Sequence, residues 1–176
     1  VLDGITYEIE KFNPNLVLTG FDIGANLATT IAAAHMNIPV AHVQGGEVTG
    51  TIDESIRHAM SKFAHIHFPA TEDAKNRLIR LGENPKYVFN VGCPSIDTII
   101  QTPVIDRKIL EKKFNVDFSK PVILLIQHPV TTESSESKKQ ILKTINVIKD
   151  LGVQALVALP NNDAGSSEII EEIKKS

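Results

Sequence analysis

Between positions 42 and 58 the chain reads His42-Val-Gln44-Gly-Gly-Glu47-Val-Thr-Gly-Thr-Ile-Asp53-Glu54-Ser-Ile-Arg57-His58. Carboxylates, imidazoles, an amide and a guanidinium at this density can move protons and take up negative charge, which is what acid-base chemistry on an anionic substrate requires. Gly45 and Gly46 permit positive φ or a close approach of backbone to ligand. Glu47, straight after them, reads as a working carboxylate or as a solvated loop residue. Asp53 and Glu54 sit at a helix start, where the dipole favours carboxylates whatever else they do. His42 ends an apolar strand and can equally be a satisfied core residue.

Further candidates lie at other strand ends. Asp22 follows Gly20 and precedes an Ala-rich helix, so it is either a functional carboxylate or a helix cap. Gln127 and His128 stand where an apolar strand stops before Pro129, a place for a phosphate or leaving-group contact or for a plain turn. Asn161-Asn162-Asp163-Ala164-Gly165-Ser166 reads as an Asx turn capping the last helix or as a helix start that holds an anion. His65 and His67 share one strand face, but no carboxylate or Cys follows at ligand spacing, so no metal site is expected. No GxGxxG, Walker A, HExxH or GxSxG pattern occurs, and no organic cofactor is expected either.

The elements that must position these groups alternate. Apolar, β-branched runs predict strands over 16–19, 39–43, 65–68, 87–91, 121–127 and 153–159. Helices are predicted near 3–12, 25–36, 52–64, 72–81, 95–101, 106–114, 137–151 and 167–175. In the 52–64 helix Ile52, Ile56, Met60 and Phe63 recur at helical spacing, leaving Asp53, Glu54, Arg57 and His58 elsewhere on the cylinder. Such alternation implies right-handed βαβ units and parallel sheets, with ligands at the carboxyl ends of the strands. The charged stretch 101–120, with Pro103, separates two regions, read as domains 1–103 and 104–176. Ser134, Ser135 and Ser137 are expected to cap the helix that follows them.

Composition narrows the class. The 176 residues are 42% hydrophobic and 22% charged, which suits an ordinary globular protein. A net charge of -3 gives no basic field, so neither nucleic acid nor an anionic membrane is an expected partner. The single cysteine excludes an internal disulfide and suits a reducing, cytoplasmic setting. No apolar run approaches the roughly 20 residues of a membrane span. The sequence opens without Met inside a predicted helix, as a fragment would.

Taken together, Asp22, Asn37-Ile-Pro39, the run His42 to Ala59, Lys62 to His65, Gly92-Cys93-Pro94-Ser95, Gln127-His128-Pro129-Val130 and Pro160 to Ser166 resemble the hydrolysing UDP-N-acetylglucosamine 2-epimerases of sialic-acid and nonulosonic-acid pathways. The resemblance covers nearly the whole chain. It implies an α/β fold of two Rossmann-like parallel-sheet domains, GT-B-like, truncated here at both ends. It also implies a UDP-sugar substrate, a homo-oligomer (dimer or tetramer), and elimination of UDP followed by hydration of 2-acetamidoglucal to N-acetylmannosamine. Asp22, Asp53, Glu47, His42 and Gln44 would then be catalytic, and His128, Gln127, Asn161, Asp163 and Arg57 would bind substrate and UDP.

Two departures from the family pattern stand out. Gln44 occupies a position where many members carry a catalytic Glu, and an amide cannot accept the proton a carboxylate would. Gly20-Phe21-Asp22-Ile23 replaces the usual Gly-Asp-Arg. A substrate such as a UDP-2,4-diacetamido-trideoxyhexose is compatible with both. A GT-B glycosyltransferase or a nucleotide-sugar-binding module would share the fold without this chemistry. As a fragment, the chain is expected to bind nucleotide sugar poorly and to turn over little.

Overall fold

The computed structural model describes residues 1–21 and 23–176. The chain folds as two compact units, Val1–Thr102 and Pro103–Ser176. In the first, strands β1 (Val17–Gly20), β2 (Val40–Val43) and β3 (Ile66–Phe68) form a parallel sheet in that order. The register pairs Thr19 with His42 and His42 with His67. Helices α1 (Leu2–Phe12), α2 (Gly24–His35), α3 (Ile52–Phe63), α4 (Glu72–Arg80) and α5 (Pro94–Gln101) complete the unit.

Small residues let α2 lie close to the sheet. Ala32 and Ala33 are buried with Ile9, Val40 and Ala64, and Ile5, Val17, Met36 and Ile38 pack around them. Less than a turn earlier in the same helix the buried Thr30 hydroxyl reaches Thr19 Oγ1 at 3.2 Å, tying α2 to β1 without leaving a polar group stranded.

The strand expected over 87–91 does not form, and the reason is local. Residues Pro85–Tyr87 make a 3-10 turn, after which only the His67–Val88 bridge pairs with β3. Phe89 N–H donates to the His67 carbonyl and Val91 N–H to the Pro69 carbonyl. Continuing the parallel ladder requires a bond from the amide of residue 69 back to the Phe89 carbonyl, and a proline has no N–H to supply it.

The second unit pairs β4 (Val122–Ile126) with β5 (Gln154–Ala158) in parallel, flanked by α6 (Arg107–Phe114), α7 (Ser137–Leu151) and α8 (Ser166–Lys174). Leu125, Ile141, Ile145 and Ile169 form its core. Leu124 and Ile126, one pleat away from Leu125, are 65% and 57% exposed, so the opposite face of this sheet is apolar and uncovered. The serine cap expected for α7 is absent: residues Thr131–Glu136 wind into a 3-10 helix that runs into α7, and its N-cap Glu136 makes no side-chain cap bond.

Among the described residues no helix is long and apolar enough to cross a membrane.

Candidate functional site

In the first unit the chemistry-bearing residues lie at the carboxyl ends of the strands. Gln44, directly after β2, adopts φ 60, while its N–H donates to the Phe68 carbonyl at 2.9 Å and so keeps it in register with β3. Its carboxamide Nε2 donates to Cys93 Sγ at 3.2 Å, where Cys93 is the N-cap of α5. Nothing in the local sequence links positions so far apart.

The glycine pair has two separate reasons. A Cβ on Gly45 would lie 2.8 Å from His42 Nδ1 and 2.9 Å from Ser61 Oγ, so the loop rests directly on that pair. Gly46 has φ +84, and a Cβ there would run into the Ala74 carbonyl of α4.

Four further contacts hold the loop. Arg77 Nη1 donates to the Gly46 carbonyl at 2.5 Å and Arg57 Nη1 to the Glu47 carbonyl at 2.9 Å. Glu54 Oε2 accepts the N–H groups of Thr49 at 2.9 Å and Gly50 at 2.8 Å. The Gly50 and Thr49 bonds are the main causes that hold the Glu54 carboxyl below the usual glutamate range. Glu54 is therefore a staple across the turn into α3, and Asp53 beside it accepts from Thr51 Oγ1 at 2.9 Å.

The site residues expected from sequence meet different fates. Asp22 lies outside the described residues. Gln44, Glu47 and Asp53 are half-buried on the loop and on the first turn of α3. His42, expected among the catalytic groups, is instead sealed beneath the loop at 0% exposure, its Nδ1 3.1 Å from Ser61 Oγ. Arg57, expected to bind UDP, is 7% exposed and spends one guanidinium N–H on the Glu47 carbonyl. Burial makes both supports of the loop. Cys93, Arg77, Glu54 and Ser61 were not singled out as site residues. Of these Cys93, within Gly92-Cys-Pro-Ser, and Glu54, at a helix start, carried a sequence signal.

His65 and His67 also separate. His65 Nδ1 accepts Val40 N–H at 3.1 Å, whereas the buried His67 meets Glu83 Oε2 at 3.2 Å and Lys62 takes the other oxygen of Glu83 at 2.6 Å. Burial, opposed by Glu83, holds the His67 imidazole below its ordinary value and so favours its neutral form. Among the described residues no group of three His, Cys, Asp or Glu could hold a metal ion.

In the second unit the exposed His128 follows β4, and its Nδ1 accepts the Asn161 N–H at 3.0 Å. That bond leaves Nε2 as the N–H donor of the neutral ring. Asn161 Nδ2 donates to Asp163 Oδ2 at 2.6 Å, and Asp163 N–H returns to Asn161 Oδ1, so the turn is built as an Asx turn. Gln127 Oε1 accepts from Thr144 Oγ1 at 2.7 Å.

The sequence model of the family described as UDP-N-acetylglucosamine 2-epimerase matches residues 1–176. The chain belongs to this family. A relative from Legionella pneumophila, named UDP-N,N'-diacetylbacillosamine 2-epimerase (hydrolyzing), is 42% identical over 98% of this chain and 46% of its own length. The UDP-N-acetylglucosamine 2-epimerase of Neisseria meningitidis serogroup B is 30% identical over 94% of the chain and 44% of that protein. The chain thus spans about half the length of these epimerases. Among solved structures, the Neisseria meningitidis UDP-GlcNAc 2-epimerase bound to UDP-GlcNAc superposes with a TM-score of 0.77 at 24% identity, over 98% of this chain and 50% of that one. The Methanocaldococcus jannaschii UDP-GlcNAc 2-epimerase in complex with UDP-GlcNAc and UDP gives 0.74 at 22% identity. The epimerase fold of parallel α/β sheets, anticipated as GT-B-like, is shared across them.

Proposed function

We propose that this member of the epimerase family is a hydrolysing 2-epimerase whose substrate is a UDP-linked 2,4-diacetamido-trideoxyhexose. The observation that carries the reading is the 42% identity, over nearly the whole chain, to the Legionella relative named for hydrolysis of UDP-N,N'-diacetylbacillosamine. A Campylobacter jejuni relative named for GDP/UDP-N,N'-diacetylbacillosamine, at 33%, supports the same class. UDP-N-acetylglucosamine, converted to N-acetylmannosamine for sialic-acid synthesis, is the second reading, favoured by the 30% identity to the Neisseria enzyme.

In the reaction a base takes the C2 proton while the C1–O bond breaks and UDP leaves with its electron pair. Water then adds across the glycal, hydroxyl to C1 and proton to C2. The C2 proton is weakly acidic, so the base must be a fixed carboxylate. Asp22 and Asp53 take the acid and base roles, with Glu47 available where Gln44 cannot accept a proton. His128, whose Asn161 bond leaves its Nε2–H to donate, meets the departing diphosphate with Asn161 and Asp163 nearby. Gln127, bonded to Thr144, acts behind this contact surface within the second unit, and in the first unit Arg57 and His42 support the loop. The active assembly is a homo-oligomer.

The test is proton NMR in D2O with both UDP-sugars and the protein at its full natural length. Free UDP with deuterium at C2 of the released sugar from the diacetamido substrate is the expected result. Turnover of UDP-N-acetylglucosamine alone moves the assignment to the second reading, and no release from either ends the hydrolysing reading.

A further inference from the structure

Among the described residues the loop 44–50 has five backbone handles, and they differ in where they lead. Gln44 N–H goes to β3, the Glu47 carbonyl to Arg57 on α3, and the Thr49 and Gly50 amides to Glu54 on α3. The remaining handle comes from α4: Arg77 Nη1 on the Gly46 carbonyl at 2.5 Å. Gly46 is buried, has positive φ and leaves no room for a Cβ, which would run into Ala74 and Leu78 of that same helix. It is the point about which Gln44 on one side and Glu47 on the other would swing.

We propose that Arg77 is a positioning residue for the reaction, fixing the Gly46 carbonyl to α4 so that Gln44 and Glu47 face the substrate in one geometry. The half-buried guanidinium is a planar, permanently charged donor set, so it holds a carbonyl at a fixed angle where a lysine would pivot. The role in catalysis rests on the reading of this loop as the site. Loss of the clamp leaves a buried carbonyl without its donor and lets the loop sample other arrangements. A displacement of about 1 Å between reacting groups costs on the order of 100-fold in rate.

The experiment compares Arg77→Met and Arg77→Lys with Arg80→Met, a change on the exposed side of the same helix. Amide hydrogen exchange is followed at Gly45 to Gly50, together with kcat, KM and rescue by methylguanidinium. Arg77→Met is expected to speed exchange in the loop about tenfold or more, to lower kcat about 10- to 100-fold with KM changed much less, and to recover rate with methylguanidinium. Arg77→Lys should fall between, and Arg80→Met should match the parent. A role confined to stability would lower the unfolding midpoint yet leave loop exchange and rescue unchanged. Loop exchange and kcat equal to the parent in Arg77→Met overturn the proposal. If Arg77→Met fails to fold, the same readouts on Arg77→Lys decide it. A parent that turns over no UDP-sugar sinks the functional reading, while exchange still decides whether Arg77 fixes the loop.

Discussion

Gln44 Nε2 lies 3.2 Å from Cys93 Sγ, so the amide that directly follows β2 is held by the one cysteine of the chain. Their contact makes Cys93 a reporter of position 44. In Gln44→Glu a carboxylate against the sulfur repels the thiolate, which is the reacting form. Alkylation of Cys93 at pH 8 should slow about tenfold relative to the parent, as read by mass spectrometry. An equal rate in both proteins would mean the two side chains are apart in solution.

Gly45 cannot accept a side chain without displacing the His42–Ser61 pair beneath it. Gly45→Ala is expected to cost about 1–3 kcal/mol, the range for overpacking a tight interior. Urea denaturation measures this directly. An unchanged midpoint would show that His42 and Ser61 give way.

Glu54 accepts its two backbone bonds more strongly when ionised, and they hold its folded value below the unfolded one. Its contribution is therefore complete above the ordinary glutamate value, ~4.3, and disappears as pH falls through the depressed folded value. Exchange at the Thr49 and Gly50 amides, corrected for intrinsic rates, should rise over that acid window. In Glu54→Gln the rise should be missing, because an amide does not titrate there.

His67 works in the opposite direction from a paired surface histidine. Burial keeps its folded value below the unfolded one despite Glu83, so the unfolded chain binds the proton first. Stability attached to His67 is present above about pH 6.5 and declines as pH drops from there towards the folded value. Thermal unfolding across pH 7 to 5 should show this slope in the parent and a shallower one in His67→Gln.

Much of the fold was legible because its causes are local. Apolar runs such as Val122 to Ile126 and the helical spacing of Ile52, Ile56, Met60 and Phe63 set element type within a few residues. Tyr87 to Val91 has the same apolar look yet bridges β3 at Val88 without extending into a strand, because the missing donor belongs to Pro69, a residue of the neighbouring segment.

The sequence by itself determined the strand-helix alternation, the family resemblance and the loop around Gly45-Gly46, since periodicity, motif and turn chemistry are written along the chain. Only the tertiary structure decided which side chains meet. Gln44 finds Cys93, Gly46 finds Arg77 and His67 finds Glu83 through the order of the parallel strands and the helices packed on them. The same packing sealed His42 under the loop and turned Arg57 towards a backbone carbonyl. Burial and hydrogen-bond partners depend on what the fold places opposite a residue, and for these positions the bonded partner lies 10 to 49 residues away in the chain, beyond the reach of helix or strand periodicity.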